Sequence, residues 1–132
     1  MPMPTGFSDG LWQHSCFEAF VSAEGALSYV ELNMAPSRQW AAYRFSAYRA
    51  GMRRASAAPI RPVMWFGGAA TLTVCWRMPD LPVDVPWAMN LCAVIETHDG
   101  DTNYFALAHA PGPPDFHNRD CFIAALPAPD AP

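Results

Sequence analysis

Two runs of the sequence place polar side chains at alternate positions among apolar ones. Glu18 does so in the run 11–21, and Glu31 and Asn33 do so in the run 27–34. Alternation of this kind is typical of a β-strand with one buried face, which puts the polar residues opposite the apolar ones. If the two runs pair as a hairpin, these three residues share one sheet face. Carboxyl and amide groups gathered in this way could hydrogen-bond a polar ligand.

Aromatic residues flank these polar positions. Trp12 precedes Glu18, Tyr29 lies in the second run on the same face as Glu31, and Trp40 follows that run. Flat aromatic rings stack on the apolar C–H face of a sugar, and carboxylates or amides hold its hydroxyls. The combination predicts a carbohydrate site, although glutamate and asparagine are equally ordinary on the solvent-facing side of a half-buried sheet.

A second polar group lies near the C-terminus. His109, Asp115, His117 and Asp120 form the densest set of polar side chains in the chain, with prolines between the first and the rest. Imidazoles and carboxylates could ligate a metal, but the spacing matches no metal motif. We predict that they mainly cap an ordered loop, and we retain His109, Asp115 and His117 as candidate ligand-binding residues.

Composition excludes several classes of protein. The 132 residues suit one domain, and 52% hydrophobic against 15% charged residues favours a packed core over disorder. A net charge of −4 leaves no basic footprint for nucleic acid. The sequence has no G-x-S-x-G, P-loop or dinucleotide fingerprint, and a carboxylate pair for glycoside hydrolysis has no readable spacing, so we do not predict an enzyme.

The cysteines and the N-terminus bear on the compartment. Four scattered cysteines form no metal-type spacing and are expected to be buried, reduced thiols. The first ten residues lack the basic and apolar regions of a signal peptide, and no apolar run reaches membrane-spanning length. We therefore expect a cytoplasmic protein with no membrane partner.

The pattern of the whole chain predicts an all-β domain. Seven or eight short apolar runs, about ten residues apart and without a βαβ rhythm, favour an antiparallel β-sandwich that is jelly-roll-like. Two hairpins are expected, one around Gly67-Gly68 and one around the turn 98–101. The stretch 39–51 fits a helix or a strand. We expect an irregular lead-in over 1–10, the sandwich over 11–127 and a disordered tail over 128–132.

Several segments, each weak by itself, resemble one family in combination. They begin at Trp12 (WQHSCFEAF), Tyr29 (YVELNMAP), Trp40 (WAAYRF), Tyr104 (YFALAH), Pro114 (PDFH) and Asp120 (DCF).

The family that these segments resemble is that of the bacterial DOMON-like domains, over about Asp9 to Pro127. The segment CFEAF followed by Y-x-E-x-N-x-x-P is also distantly similar to family 9 carbohydrate-binding modules. The resemblance implies a β-sandwich whose relatives bind sugars or haem on a concave sheet, and it favours a strand at Trp40. Relatives carry further strands before the equivalent of Asp9–Trp12, so an open sheet edge is expected here.

We therefore predict a non-catalytic module that binds a small molecule, with carbohydrate as the leading class. The alternatives are a structural or interaction domain that meets a partner chain or its own copy through the open edge, and a haem- or calcium-binding domain. No cofactor or metal residue is assigned.

Overall fold

The computed structural model describes residues 6–67 and 69–130, with the backbone alone described for residues 61–67, 69 and 70. It confirms the prediction of an all-β, antiparallel sandwich. None of its helices has the length and apolarity of a membrane span, within the described residues. The strands are β1 (Cys16–Ala23), β2 (Tyr29–Met34), β3 (Trp40–Phe45), β4 (Arg53–Arg54), β5 (Ala58–Gly67), β6 (Ala69–Arg77), β7 (Trp87–Glu96), β8 (Thr102–Ala106) and β9 (Ala124–Leu126).

The main sheet has the order β4-β3-β2-β1-β7-β8, and β9 pairs with β7 in line with β8. The predicted hairpins β1–β2 and β7–β8 are confirmed, with Glu18 opposite Asn33 and Glu31 opposite Phe20. β1 also pairs with β7 along its whole length, so it is the central strand. The polar residues of β1 and β2 consequently lie in the middle of the sheet.

The second layer is the hairpin of β5 and β6, which packs across one face of the main sheet. Its side chains that reach the sheet include Trp76, whose ring meets the ring of Trp40 edge-on at 6.0 Å. Val21, Val30 and Leu32 are buried beneath it. We call this side of the main sheet the hairpin face.

The opposite side, which we call the site face, carries Cys16, Glu18 and Phe20 of β1. Within the described residues, no second sheet covers it. Instead, the segment 111–122 folds over it and contributes buried Phe116 and Phe122 to the core. A cavity remains on this face between the segment and the sheet.

Three of the predicted strands have different first or last residues in the structure. The first was expected from Leu11, but Leu11–Gln13 is a 3-10 turn that starts after Gly10 at φ 75°. The ambiguous stretch 39–51 is a strand only over Trp40–Phe45, because a tight turn follows with Arg49 at φ 50°. The last apolar run, 121–126, is predicted as a strand but is one only over Ala124–Leu126, because Arg119–Cys121 forms a 3-10 turn in which Asn118 accepts the Asp120 N–H.

The ends of the domain are hydrogen-bonded to the rest of the chain where they are described. In the lead-in, Ser8 N–H donates to the carbonyl of Trp40. In the tail, Asp130 N–H donates to the carbonyl of Val83, and residues 131 and 132 lie outside the described chain.

The expectation of four buried thiols was wrong in one case, because Cys75 is exposed on β6, whose outward-facing residues are open to solvent.

Candidate functional site

A cavity of about 420 Å³ opens on the site face, between the main sheet and the segment 111–122. Its volume lies within the range of small-molecule sites. Carboxyl groups line its floor and aromatic rings line its walls. The lining residues are Trp12, Glu18, Phe20, Glu31, Phe45, Arg49, Met52, Val94, Tyr104, Pro114, Phe116 and His117.

Glu31 is the best-anchored polar residue of this cavity. It lies on the central part of β2 and is only 3% exposed. Asn33, two residues along the same strand face, donates its amide hydrogen to Glu31 Oε2 at 2.8 Å. His117 brings Nε2 to 3.3 Å from Glu31 Oε1. The carboxyl group is therefore held in one orientation, with one oxygen bonded and the other towards the imidazole.

A chain of polar contacts extends from Glu31 to the turn after β3. The amide of Arg49 donates to the Tyr29 hydroxyl oxygen at 3.1 Å, and that hydroxyl is 2.6 Å from His117 Nδ1. Since the Tyr29 oxygen already accepts the Arg49 hydrogen, its own proton is free to go to Nδ1. This arrangement favours the imidazole tautomer whose Nε2 hydrogen points at Glu31.

Arg49 closes the rim of the cavity. Its guanidinium pairs with Asp115 at 2.8 Å, which links the turn after β3 to the segment 111–122. The turn depends on left-handed backbone at Arg49 and at Gly51. The Arg49 side chain is half exposed, so solvent screens its charge, and Asp115 offsets it.

Glu18 differs from Glu31 because it has no hydrogen-bond partner among the described residues. It lies on β1, the central strand, lines the cavity and is 6% exposed. Burial, together with the charge of Glu31, raises the pKa of Glu18 to about 8. Removing a carboxylate from water penalises its charged form, so Glu18 is largely protonated near neutral pH.

Burial shifts the pKa values of Glu31 and His117 in opposite senses. Desolvation raises the pKa of Glu31 to about 7, although the Asn33 hydrogen bond and the Arg49 charge oppose it. Desolvation, with the Arg49 charge, lowers the pKa of His117 to about 4. His117 is thus neutral when Glu31 ionises, and the contact between them is not an ion pair at neutral pH.

This geometry has no counterpart in the comparisons with known proteins. No family model, curated protein or solved structure matches the chain. The resemblance to DOMON-like domains therefore stays a prediction.

The structure brings most of the sequence-predicted site residues together. Trp12, Glu18, Glu31 and His117 line the cavity directly. These four residues, up to 105 positions apart in sequence, thus meet at one place. The alternative interpretation of the two glutamates was an open face of the sheet, exposed to water. They are instead buried in the floor of a cavity.

Three other predicted residues support the lining from behind or at its edge. Tyr29 and Asn33 are buried and hold His117 and Glu31 in place. Asp115 holds Arg49. The prediction that His109, Asp115, His117 and Asp120 mainly cap the loop is not what these contacts show, because Asp115 pairs with Arg49 and His117 bonds Tyr29, while the cap is made by Asn118, which accepts the Asp120 N–H.

Two predicted residues are not brought to the cavity. Trp40 lies on the hairpin face, opposite Met34 in register, and packs against Trp76. Its position follows from strand alternation, since Tyr43 and Phe45 of the same strand face the site. His109 is exposed beside the ring of Phe116 and does not line the cavity.

Sequence reasoning missed three lining residues that shape the cavity. Arg49 and Tyr104 come from a turn and an edge strand, and Phe116 comes from the segment PDFH. Strand alternation across β7–β8 could have placed Tyr104 on the site face, because its register partner is Val94. No local pattern marks Arg49, whose position depends on the left-handed turn.

A haem- or calcium-binding domain is the remaining alternative, and no ligand residue is assigned to it. Among the residues that the structure describes, no three histidine, cysteine, aspartate or glutamate side chains are placed to hold a metal ion. His14 and His109 are exposed, and Met34 and Met89 lie on the hairpin face.

Proposed function

We propose that this domain is a non-catalytic module that binds a small polar ligand, carbohydrate being the leading class, in the cavity on the site face. The supporting observation is that partly exposed aromatic rings and buried hydrogen-bonding groups share one cavity. Trp12 and Tyr104 are 39% and 45% exposed, while Glu18 and Glu31 are almost fully buried beneath them.

The division of roles within the cavity suits sugar recognition. Trp12 and Tyr104 offer ring surface to the apolar side of a sugar, and the carboxyl groups accept hydroxyl hydrogens. Asn33 and His117 fix the orientation of Glu31 before any ligand arrives. Because such a preorganised group loses little freedom on binding, it supports affinity and selectivity.

A thermal-shift screen of the whole chain against mono- and disaccharides tests this proposal. A ligand at about one hundred times its dissociation constant adds about 2.7 kcal/mol to stability, which raises the melting temperature by several degrees. We expect a shift with one class of sugar. A panel that gives no shift at any concentration up to the tens of millimolar would contradict the proposal.

Glu31→Ala is expected to weaken binding of the best sugar by about 100-fold, because it removes a buried, oriented carboxyl group that accepts ligand hydrogens. The measurement is a calorimetric titration. Glu24→Ala is the matched control, since Glu24 is exposed in the turn between β1 and β2. Unchanged affinity in a folded Glu31→Ala chain would place the sugar elsewhere.

A second candidate function, a protein-interaction domain, is favoured by one observation. Leu91, Phe105 and Leu107 are 46%, 57% and 45% exposed at the edge of the main sheet formed by β7 and β8. Apolar surface beside an edge strand promotes association. In this case sedimentation equilibrium would give a mass above 14.5 kDa, and Phe105→Asp would restore the monomer.

A further inference from the structure

We propose that the cavity is selective for a ligand that carries a basic amine, such as an amino sugar, whose ammonium group sits between Glu18 and Glu31. This inference depends on the proposed function, since it names the chemical class that the same cavity prefers. The hydrogen-bonding capacity, the charge and the aromatic lining of the cavity all favour such a ligand.

When its two carboxyl groups are ionised, the floor of the cavity has an excess of acceptors. Glu18 has no partner among the described residues, and one oxygen of Glu31 has only the Nε2 hydrogen of His117 directed at it. The Asn33 side-chain oxygen, also buried, has no partner either within the described chain. The Asn33 amide hydrogens are directed to Glu31. An ammonium group supplies three donors and no acceptor, which matches this deficit better than a hydroxyl does.

Strand register places the two carboxyl groups around one point. Glu18 is opposite Asn33 and Glu31 is opposite Phe20, so the two glutamates are diagonal neighbours on the site face of adjacent strands. Diagonal side chains of this kind lie within about 8 Å of each other. One ammonium can therefore contact both carboxylates.

The charges around the cavity favour a cation. Two carboxyl groups lie in the floor, and Arg49, the one cation among the described lining residues, is already paired with Asp115 at the rim. Burial, with the Arg49 charge, lowers the pKa of His117 to about 4, so the imidazole adds no positive charge. Cys16, Cys92, Tyr29 and Tyr43 also face this side of the sheet, and burial raises the pKa of each, so all four stay neutral.

The aromatic walls add to the same preference. Trp12, Phe20, Phe45, Tyr104 and Phe116 surround the carboxyl groups. Aromatic faces attract cations, and this attraction grows when the cation is removed from water. A sugar that bears an amine presents both an apolar C–H face and a cation to these groups.

Binding of a cation here releases protons. Glu18 and Glu31 bind protons near neutral pH, since burial raises their pKa values to about 8 and about 7. An ammonium that replaces those protons drives both groups to the carboxylate form. We expect roughly one proton to be released per ligand at about pH 7, whereas an uncharged sugar releases none.

The test compares D-glucosamine with D-glucose and N-acetyl-D-glucosamine, which match its ring but lack the charge. Calorimetric titrations of the whole chain near pH 7, in two buffers of different ionisation enthalpy, give the affinity and the protons released. We expect D-glucosamine to bind at least about ten-fold more tightly than either neutral sugar, because its hydrogen bonds are charge-assisted. Proton release should accompany only the amine.

Glu18→Gln identifies the residue responsible. The amide keeps the shape of the side chain but removes its charge, so the preference for D-glucosamine should fall at least about ten-fold and the proton release should diminish. Glu24→Gln, at an exposed position, should leave both unchanged. If Glu18→Gln does not fold, the proton release of the unaltered chain still decides the question.

Equal affinity for the amine and the neutral sugars, or amine binding without proton release, would overturn this inference while the proposed function stands. Tight binding of a neutral sugar alone would do the same. Failure of every sugar, charged or neutral, to bind would overturn the inference and the proposed function together.

Discussion

Phe20→Ala is expected to lower the free energy of unfolding by about 3–5 kcal/mol, the range for truncating a buried aromatic residue. Phe20 is 0% exposed at the centre of the site face. Its ring contacts the rings of Phe116, His117 and Phe122 at centroid distances of 6.3, 4.8 and 6.1 Å. Its loss removes the contacts that hold the segment 111–122 against the sheet.

Urea denaturation measures this loss, and the melting temperature should fall by roughly 15 °C. Phe105→Ala is the matched control, since Phe105 is 57% exposed on β8, and it should cost less than about 1 kcal/mol. Equal effects of the two substitutions would mean that the segment 111–122 does not depend on Phe20. Ligand binding should weaken in Phe20→Ala even in conditions where the chain is folded, because His117 loses its support.

The second large effect is a fall in stability as pH rises from about 5.5 to about 8.5. Glu18 and Glu31 have pKa values of about 8 and about 7 in the folded chain, above the ordinary value of 4.5, because burial disfavours their charged forms. The folded state therefore binds more protons than the unfolded state across this range. Stability is greatest below the unfolded pKa and is lost as pH rises through the folded values.

His117 acts in the opposite sense. Its pKa is lowered to about 4 by burial, so its contribution is lost as pH falls from its ordinary range towards 4. Two carboxyl groups outweigh one imidazole, and we expect a net loss of about 3 kcal/mol between pH 5.5 and 8.5. This corresponds to a fall in melting temperature of roughly 10 °C.

Melting curves across this pH range check the prediction. Glu18→Gln, which is neutral at every pH, should remove most of the decline, because the Glu31 loss that is left is largely offset by His117, and it should be more stable than the unaltered chain at the alkaline end. Glu24→Gln carries the same substitution at an exposed site and should leave the slope unchanged. Parallel curves for all three chains would show that Glu18 ionises normally in the folded state.

The sequence by itself determined the fold class and much of the strand pairing. Alternation in 27–34 predicted which residues of β2 share a face, and β1–β2 and β7–β8 pair as their turns indicated. These features are local, because a period of two and a turn signal are both contained within about ten residues. For the same reason the pattern was sufficient to place Glu18, Glu31 and Asn33 together.

Only the tertiary structure decided whether that polar face is hydrated or buried. The answer depends on the segment 111–122, which lies about 80 residues beyond Glu31 and folds over the sheet to bring Phe116 and His117 to it. Likewise, Trp40 lies on the side of the sheet that packs against the β5–β6 hairpin, and it therefore faces away from the cavity. Local patterns cannot supply these facts, because burial is set by contacts between segments that are distant in sequence, and the shifted pKa values follow from that burial.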